Sequence, residues 1–177
     1  MAETYKMNIA GLERELPLCP INDKLSIAAF IIFGDVELTI AAAEELLKKC
    51  PDFDYIITPE AKSIPLAYEM SRQSSKPYYV VRKKEKLYMQ NPVSVTVKSI
   101  TTDSQQKLIL DGAEGEIIRN KKVIILDDVI STGQSLTAVE NLVGMFDAEV
   151  VAKVAILAEG DAADRDDIIF LEKLPLF

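Results

Sequence analysis

With 177 residues, of which 49% are hydrophobic, the chain is sized for a single domain with its own core. Its formal net charge of −8 argues against bulk nucleic-acid binding, which needs clustered cations on an accessible surface. The sequence contains no histidine, which removes Ser-His and Cys-His catalysis and most zinc sites, and its two cysteines, Cys19 and Cys50, lack metal spacing and read as reduced, buried thiols.

The amino terminus has no basic segment leading into an apolar one, so no secretory signal is expected. The most apolar early run, Ile27 to Phe33, is too short to cross a bilayer, and a cytoplasmic location without membrane contact is expected. A stretch to about Gly34 precedes a helix capped by Asp35, with Val36, Ile40, Ala43 and Leu47 along one face. Tyr55 to Thr58 reads as a buried strand, and Ile64 to Arg72 as a helix that tolerates Pro65 in its first turn. Between them lies the loop Pro59-Glu60-Ala61-Lys62-Ser63. A strand over Pro77 to Val81 runs into Arg82-Lys83-Lys84-Glu85-Lys86, four cations within five residues in an otherwise acidic chain. The segment from Leu87 to Lys107 has little sustained periodicity and suits a β-arm or a mobile lid. Strand candidates follow at Leu108 to Leu110, from Val123, at Val150 to Leu157 and at Ile168 to Leu171. This alternation predicts an α/β fold, a mostly parallel sheet flanked by helices, within one domain over 1–177. Neither the dinucleotide-binding glycine fingerprint nor a P-loop occurs.

The chemistry concentrates in Val123 to Ser135, VIILDDVISTGQS. Its apolar run reads as a buried strand that ends at Asp127 and Asp128, the carboxyl end where open α/β sheets take ligands. The turn Ser131-Thr132-Gly133-Gln134 follows, then a helix with Ser135 at its start and Leu136, Val139, Val143 and Phe146 on one face. Unpaired N–H groups and the positive end of the helix dipole attract phosphate at such a place. Anion donors beside two carboxylates suit a ligand with a phosphate and hydroxyls. The plain alternative is a surface turn with a helix cap and two solvated acids.

This string resembles the phosphoribosyl pyrophosphate signature of type I phosphoribosyltransferases. The resemblance implies that Asp127 and Asp128 hold the ribose, that Ser131, Thr132, Gly133, Gln134 and Ser135 wrap the 5′-phosphate, and that Val129 and Ile130 between them belong to the same phosphoribosyl pyrophosphate-binding segment. The loop Glu60, Ala61, Lys62, Ser63 resembles the pyrophosphate loop of the adenine branch, with Lys62 in its arginine position and Ser63 in its glycine position. In that family the loop often carries a non-proline cis peptide, which the alignment puts between Ala61 and Lys62. The basic segment resembles the branch's Val-Arg-Lys string, which gives Arg82, Lys83 and Lys86 the task of neutralising pyrophosphate, in some members across a dimer interface. Phe33-Gly34-Asp35-Val36 loosely matches the Phe-Arg-Asp-Ile string of a purine hood. Residues 1–34 are thereby expected to form a hood, with Ile32 and Phe33 at the base, and Gly34 replaces the family's arginine. Residues 87–107 are expected to be a flexible lid, in which Lys98 falls where adenine enzymes carry a glutamate and becomes a catalytic candidate.

The family resemblance further implies phosphoribosyl pyrophosphate and a purine base as partners, a homodimer, and Mg²⁺ held mainly through substrate, with Asp127 and Asp128 as the candidate protein ligands. Adenine is the first expectation for the base, ahead of hypoxanthine, guanine or xanthine. The other function class is a regulator that senses phosphoribosyl pyrophosphate or a nucleotide on the same fold.

Overall fold

The computed structural model describes residues 3–98 and 105–177. An amino-terminal antiparallel sheet comes first, from β1 (Thr4–Ile9), β2 (Leu12–Asn22) and β3 (Leu25–Ala28). The carboxyl terminus docks on it: Phe177 N donates to Ser26 O over 2.9 Å and Ser26 N donates back over 2.6 Å. Helix α1 (Val36–Lys49) leads into β4 (Tyr55–Pro59), α2 (Ile64–Ser74) and β5 (Tyr78–Val81). A hairpin of β6 (Val93–Lys98) and β7 (Gln105–Leu110) is followed by the short helix α3 (Gly112–Ile117). Then come β8 (Lys122–Ile130), α4 (Gln134–Gly144), β9 (Glu149–Glu159), a 3₁₀ turn over Gly160–Asp164 and β10 (Ile169–Leu174).

Strands β10, β9, β8, β4 and β5 lie in that order in one all-parallel sheet. Chain order runs outward from the centre, with β4 crossing to β5 on one side and β8 crossing through β9 to β10 on the other. The order reverses between β4 and β8, and the crevice beyond their carboxyl ends is where such sheets bind ligands. Both faces are covered, which explains why Val123 to Leu126 can be an unbroken apolar run buried to within 1%. One core packs α1 and α2 against the sheet through Leu38, Leu46, Leu66 and Met70, and the other packs α4 through Leu136, Val139 and Val143.

Several expectations change in detail. Asp35 does cap α1, accepting from Leu38 N over 3.1 Å, but the buried stripe is Leu38, Ala42, Ala43 and Leu46. Val36 and Ile40 stay exposed, because this helix is apolar on more than one face and only packing chooses between the stripes. Strand β8 runs past the acids to Ile130, since β9 keeps pairing with it as far as Ala158. Helix α4 begins at Gln134 after Gly133, whose φ of 76° is the left-handed conformation glycine adopts without strain, so Ser135 sits inside the first turn. Leu87 to Lys107 contributes β6 and the start of β7, which is the β-arm of the two readings; residues 99–104 lie outside the described residues. Cys19 is exposed on β2 instead of buried, while half-buried Cys50 has its thiol pushed up to about 11 by desolvation. No helix among the described residues is long and apolar enough to cross a membrane.

Candidate active site

Asp127 and Asp128 occupy the part of β8 that β4 has already left: their pairing ends at Ile57 and Ile125. Beyond it, the loop after β4 takes over as neighbour. Thr58 Oγ1 stands 2.8 Å from the Leu126 carbonyl oxygen and 2.7 Å from Ser63 Oγ, and Ser63 Oγ lies 3.0 Å from the carbonyl of Pro59. These buried hydroxyls lock the 59–63 loop onto β8 just before the acids. Ser63, in the position where the family has glycine, thus has its hydroxyl committed to the loop's own structure. The non-proline cis bond of this loop joins Glu60 to Ala61, one residue earlier than the alignment put it.

A cavity of about 350 Å³ opens between these elements, lined among others by Glu60, Lys62, Lys83, Asp127, Asp128 and Ser135. Lys62 Nζ lies 2.7 Å from Oδ2 of Asp128, which is buried. Asp127 turns Oδ1 back to accept from the N–H of Asp128 over 2.9 Å. Burial, reinforced by the neighbouring Asp128 charge, pushes the Asp127 carboxyl up to about 7.

Glu60 faces the basic segment. Its Oε1 accepts from Lys83 N over 2.6 Å, and its Oε2 lies 3.1 Å from Arg82 Nε. Arg82 is also fixed through its backbone, which exchanges hydrogen bonds of 2.8 and 2.7 Å with Ile109 on β7. The structure thereby brings Lys83 to the cavity and turns Arg82 to Glu60. Lys86 lies further along in a turn, where Met89 N donates to its carbonyl oxygen over 3.0 Å, and is not among the residues lining the cavity.

The turn between β8 and α4 encloses a smaller cavity of about 90 Å³, lined by Asp127 and by Val129 to Leu136. Helix α4 starts there with no side-chain cap, so its first N–H groups are left for another acceptor. Thr132 N is the exception nearby, donating to Ser131 Oγ over 2.7 Å.

Val97 and Leu108, from opposite strands of the arm, also line the acid cavity. Sequence reasoning missed them, although the alternation in Val93-Ser94-Val95-Thr96-Val97 was a readable strand signal. Lys98 is the last residue of β6, paired in register with Gln105, and its side chain lies outside the described residues. The expected base residues part from the acids. Ile32 is 1% exposed and lines a separate apolar cavity of about 450 Å³ between α1 and α2, while Phe33 is 52% exposed. Neither lines the cavity that holds the acids, because the chain turns at Gly34 and sends Ile32 into the core.

Residues 35–173 match the family model described as a phosphoribosyl transferase domain. The chain belongs to that family. Among its relatives, a hypoxanthine/guanine phosphoribosyltransferase of Methanococcus maripaludis is 32% identical over 85% of this chain and 82% of that protein. One of the same name from Methanocella arvoryzae is 30% identical, over 80% of this chain and 68% of that protein. Against several other relatives of that name the match spans only about half of their length, 53% to 57%. The fold is that of type I phosphoribosyltransferases. The crystal structure of adenine phosphoribosyltransferase from Thermoanaerobacter pseudethanolicus superposes with a TM-score of 0.74 at 20% identity, covering 89% of this chain and 95% of that one.

Proposed function

We propose that this phosphoribosyltransferase acts on purines, transferring the 5-phosphoribosyl group of phosphoribosyl pyrophosphate to a ring nitrogen of the base and releasing pyrophosphate. The observation that carries the reading is one cavity in which two adjacent carboxylates face Lys62 and Lys83 and open towards the uncapped start of α4. Breaking the anomeric bond builds positive charge on the sugar and negative charge on the leaving group. Asp127 and Asp128 orient the ribose and stabilise the first; Lys62 and Lys83 offset the second. The 5′-phosphate sits in the loop from Val129 to Ser135 and takes the free N–H groups there. Arg82 acts by holding Glu60, and Lys86 joins only if pyrophosphate extends along the basic segment.

The donor set fits a hard divalent cation only in part. Oδ2 of Asp128 is a buried oxygen held by the Lys62 ammonium at 2.7 Å, and no group of three carboxylate, cysteine or histidine ligands occurs among the described residues. The two acids therefore suit one or two positions around Mg²⁺, with substrate oxygens supplying others. When bound, the ion would neutralise pyrophosphate charge.

For the base, the relatives at 30% identity or more favour hypoxanthine and guanine over adenine, which the loop resemblance put first. The sequence agrees, with Gly34 in place of the hood arginine and Lys98 in place of the lid glutamate. Without that base, a purine that gives up its proton readily reacts best, since positioned general-base catalysis is worth ~10²–10⁴-fold. A homodimer, with the basic segment near the neighbour's cavity, belongs to the same proposal.

The test is pyrophosphate release and nucleotide formation from phosphoribosyl pyrophosphate with adenine, hypoxanthine, guanine and xanthine, with Lys98→Ala alongside. Turnover with hypoxanthine or guanine ahead of adenine is expected. Binding of phosphoribosyl pyrophosphate without turnover of any base would instead favour the sensor.

A further inference from the structure

The carboxyl-terminal part of the chain returns to the phosphate loop. After β9, the 3₁₀ turn Gly160–Asp164 delivers Arg165 against Gly133, and a Cβ built on Gly133 would collide with Nη1 of Arg165. The guanidinium occupies the space that any larger residue would need. Gly133 is required by its left-handed φ of 76°, and the end of the Arg165 side chain packs where a Cβ would stand.

The rest of the guanidinium is anchored. Nε donates to Oδ1 of Asp167 over 2.8 Å and Nη2 to Oδ2 over 2.7 Å, a two-pronged grip that leaves Nη1 facing the loop. Asp167 is held in turn by Lys153 Nζ at 3.1 Å, and Lys153 lies 2.9 Å from Glu140. Glu140 stands on α4, the helix that the loop opens. A charge chain Glu140, Lys153, Asp167, Arg165 thus runs from the body of α4 through β9 to the carboxyl-terminal segment and back to the start of α4. Its signs alternate, and its positive end rests at the loop.

Asp167, with Glu140 behind it, stabilises the charged guanidinium and raises its pKa, so a held cation stands beside the positive end of α4, which no side chain caps. A phosphate in the loop would be attracted by both.

We propose that Arg165 is a positioning residue of the phosphate loop: packed on Gly133 and fixed by Asp167, it holds the loop in its anion-accepting shape and tunes its affinity for the phosphate end of the substrate. The inference rests on the loop taking a phosphate, as proposed above. It assigns to the segment after β9 a part in binding the phosphoribosyl group, remote from the pyrophosphate side at Lys62 and Lys83.

Ribose 5-phosphate and pyrophosphate are the probes, titrated separately by calorimetry into wild type, Arg165→Ala, Arg165→Lys and Asp167→Asn. Steady-state constants for phosphoribosyl pyrophosphate are measured alongside. Arg165→Ala should weaken ribose 5-phosphate about tenfold, the scale of a lost charge-assisted contact, and raise KM for phosphoribosyl pyrophosphate similarly, with kcat within about threefold. Pyrophosphate affinity should stay unchanged, which general loosening of the fold would not allow. Arg165→Lys keeps the charge and should recover part of the loss, while Asp167→Asn should fall between it and wild type. Equal loss for both probes, or ribose 5-phosphate binding by Arg165→Ala at the wild-type level, overturns the proposal. If Arg165→Ala does not fold, the Arg165→Lys and Asp167→Asn ratios decide by the same criterion. Wild-type protein that binds neither ribose 5-phosphate nor phosphoribosyl pyrophosphate would overturn the functional reading as well.

Discussion

Lys62 Nζ stands 2.7 Å from Oδ2 of Asp128, so the loop after β4 and the strand β8 meet through a cation and a buried acid. The lysine is half exposed and the acid 5% exposed, which makes the pair asymmetric. Removing the lysine leaves the acid buried without a counter-charge, whereas the lysine without the acid is simply solvated. Lys62→Ala should therefore lower turnover of phosphoribosyl pyrophosphate by about tenfold or more, and Lys62→Arg, which keeps the charge and adds a planar fork, should retain most of it. Initial rates of pyrophosphate release decide this. Equal rates in wild type and Lys62→Ala would remove Lys62 from the site.

Asp127→Asn combined with Asp128→Asn should cut turnover by at least ~10²-fold, because ribose orientation and stabilisation of the cationic sugar are lost together. The variant should fold, since amides match carboxylates in shape and the paired acids repel each other. A melting curve checks the fold and a coupled pyrophosphate assay checks the rate. Wild-type activity in the double variant would falsify the role given to these acids.

Asp127 also makes stability depend on pH. Its folded carboxyl is pushed up to about 7 by burial and by Asp128, while in the unfolded chain it titrates in the ordinary carboxylate range. Between those values the folded state holds a proton that the unfolded state has released, so this group makes stability fall as pH rises from about 4 to about 7. Urea denaturation of ligand-free protein across that window should show a decline that is smaller in Asp127→Asn. An identical pH profile in the variant would assign the decline to other groups.

The parts of this molecule set by short-range pattern were readable in the sequence. The unbroken apolar run Val123 to Leu126 meant a strand covered on both faces, and Asp35 before an apolar periodic stretch meant a helix start. The parts set by partner choice were not. Helix α1 is apolar at Val36 and Ile40 as well as at Leu38, Ala42 and Leu46, and only the sheet beneath it selects the buried stripe. The length of β8 depends on β9 continuing beside it, which nothing local to Asp127 and Asp128 encodes. In the site, Lys62 meets Asp128, a meeting that the family resemblance of the two loops implied. Arg165 was invisible, because its place over Gly133 depends on a contact 32 residues away in sequence and on Asp167 holding its other two nitrogens.

The amino-terminal sheet is tied to the core by Arg14 on β2, which reaches the cap of α1. Nε donates to Oδ2 of Asp35 over 2.6 Å, and Nη2 donates to Oδ1 of Asp35 and to Oε2 of Glu37, each over 2.9 Å. Arg14 and Asp35 are only 24% and 26% exposed, so this pair is less screened than an ordinary surface bridge. Asp35 meanwhile caps the helix through Leu38 N, so Arg14 holds a carboxylate that is already oriented. Arg14→Ala should destabilise the protein by about 1–2 kcal/mol at neutral pH. The Arg14 guanidinium keeps the Asp35 carboxyl below its usual range, so its contribution is full above the unfolded value and is lost as pH falls through the folded one. The difference between wild type and Arg14→Ala should thus shrink as denaturation is repeated towards pH 3. A difference that stays constant on acidification would mean that the arginine acts through packing rather than through the charge of Asp35.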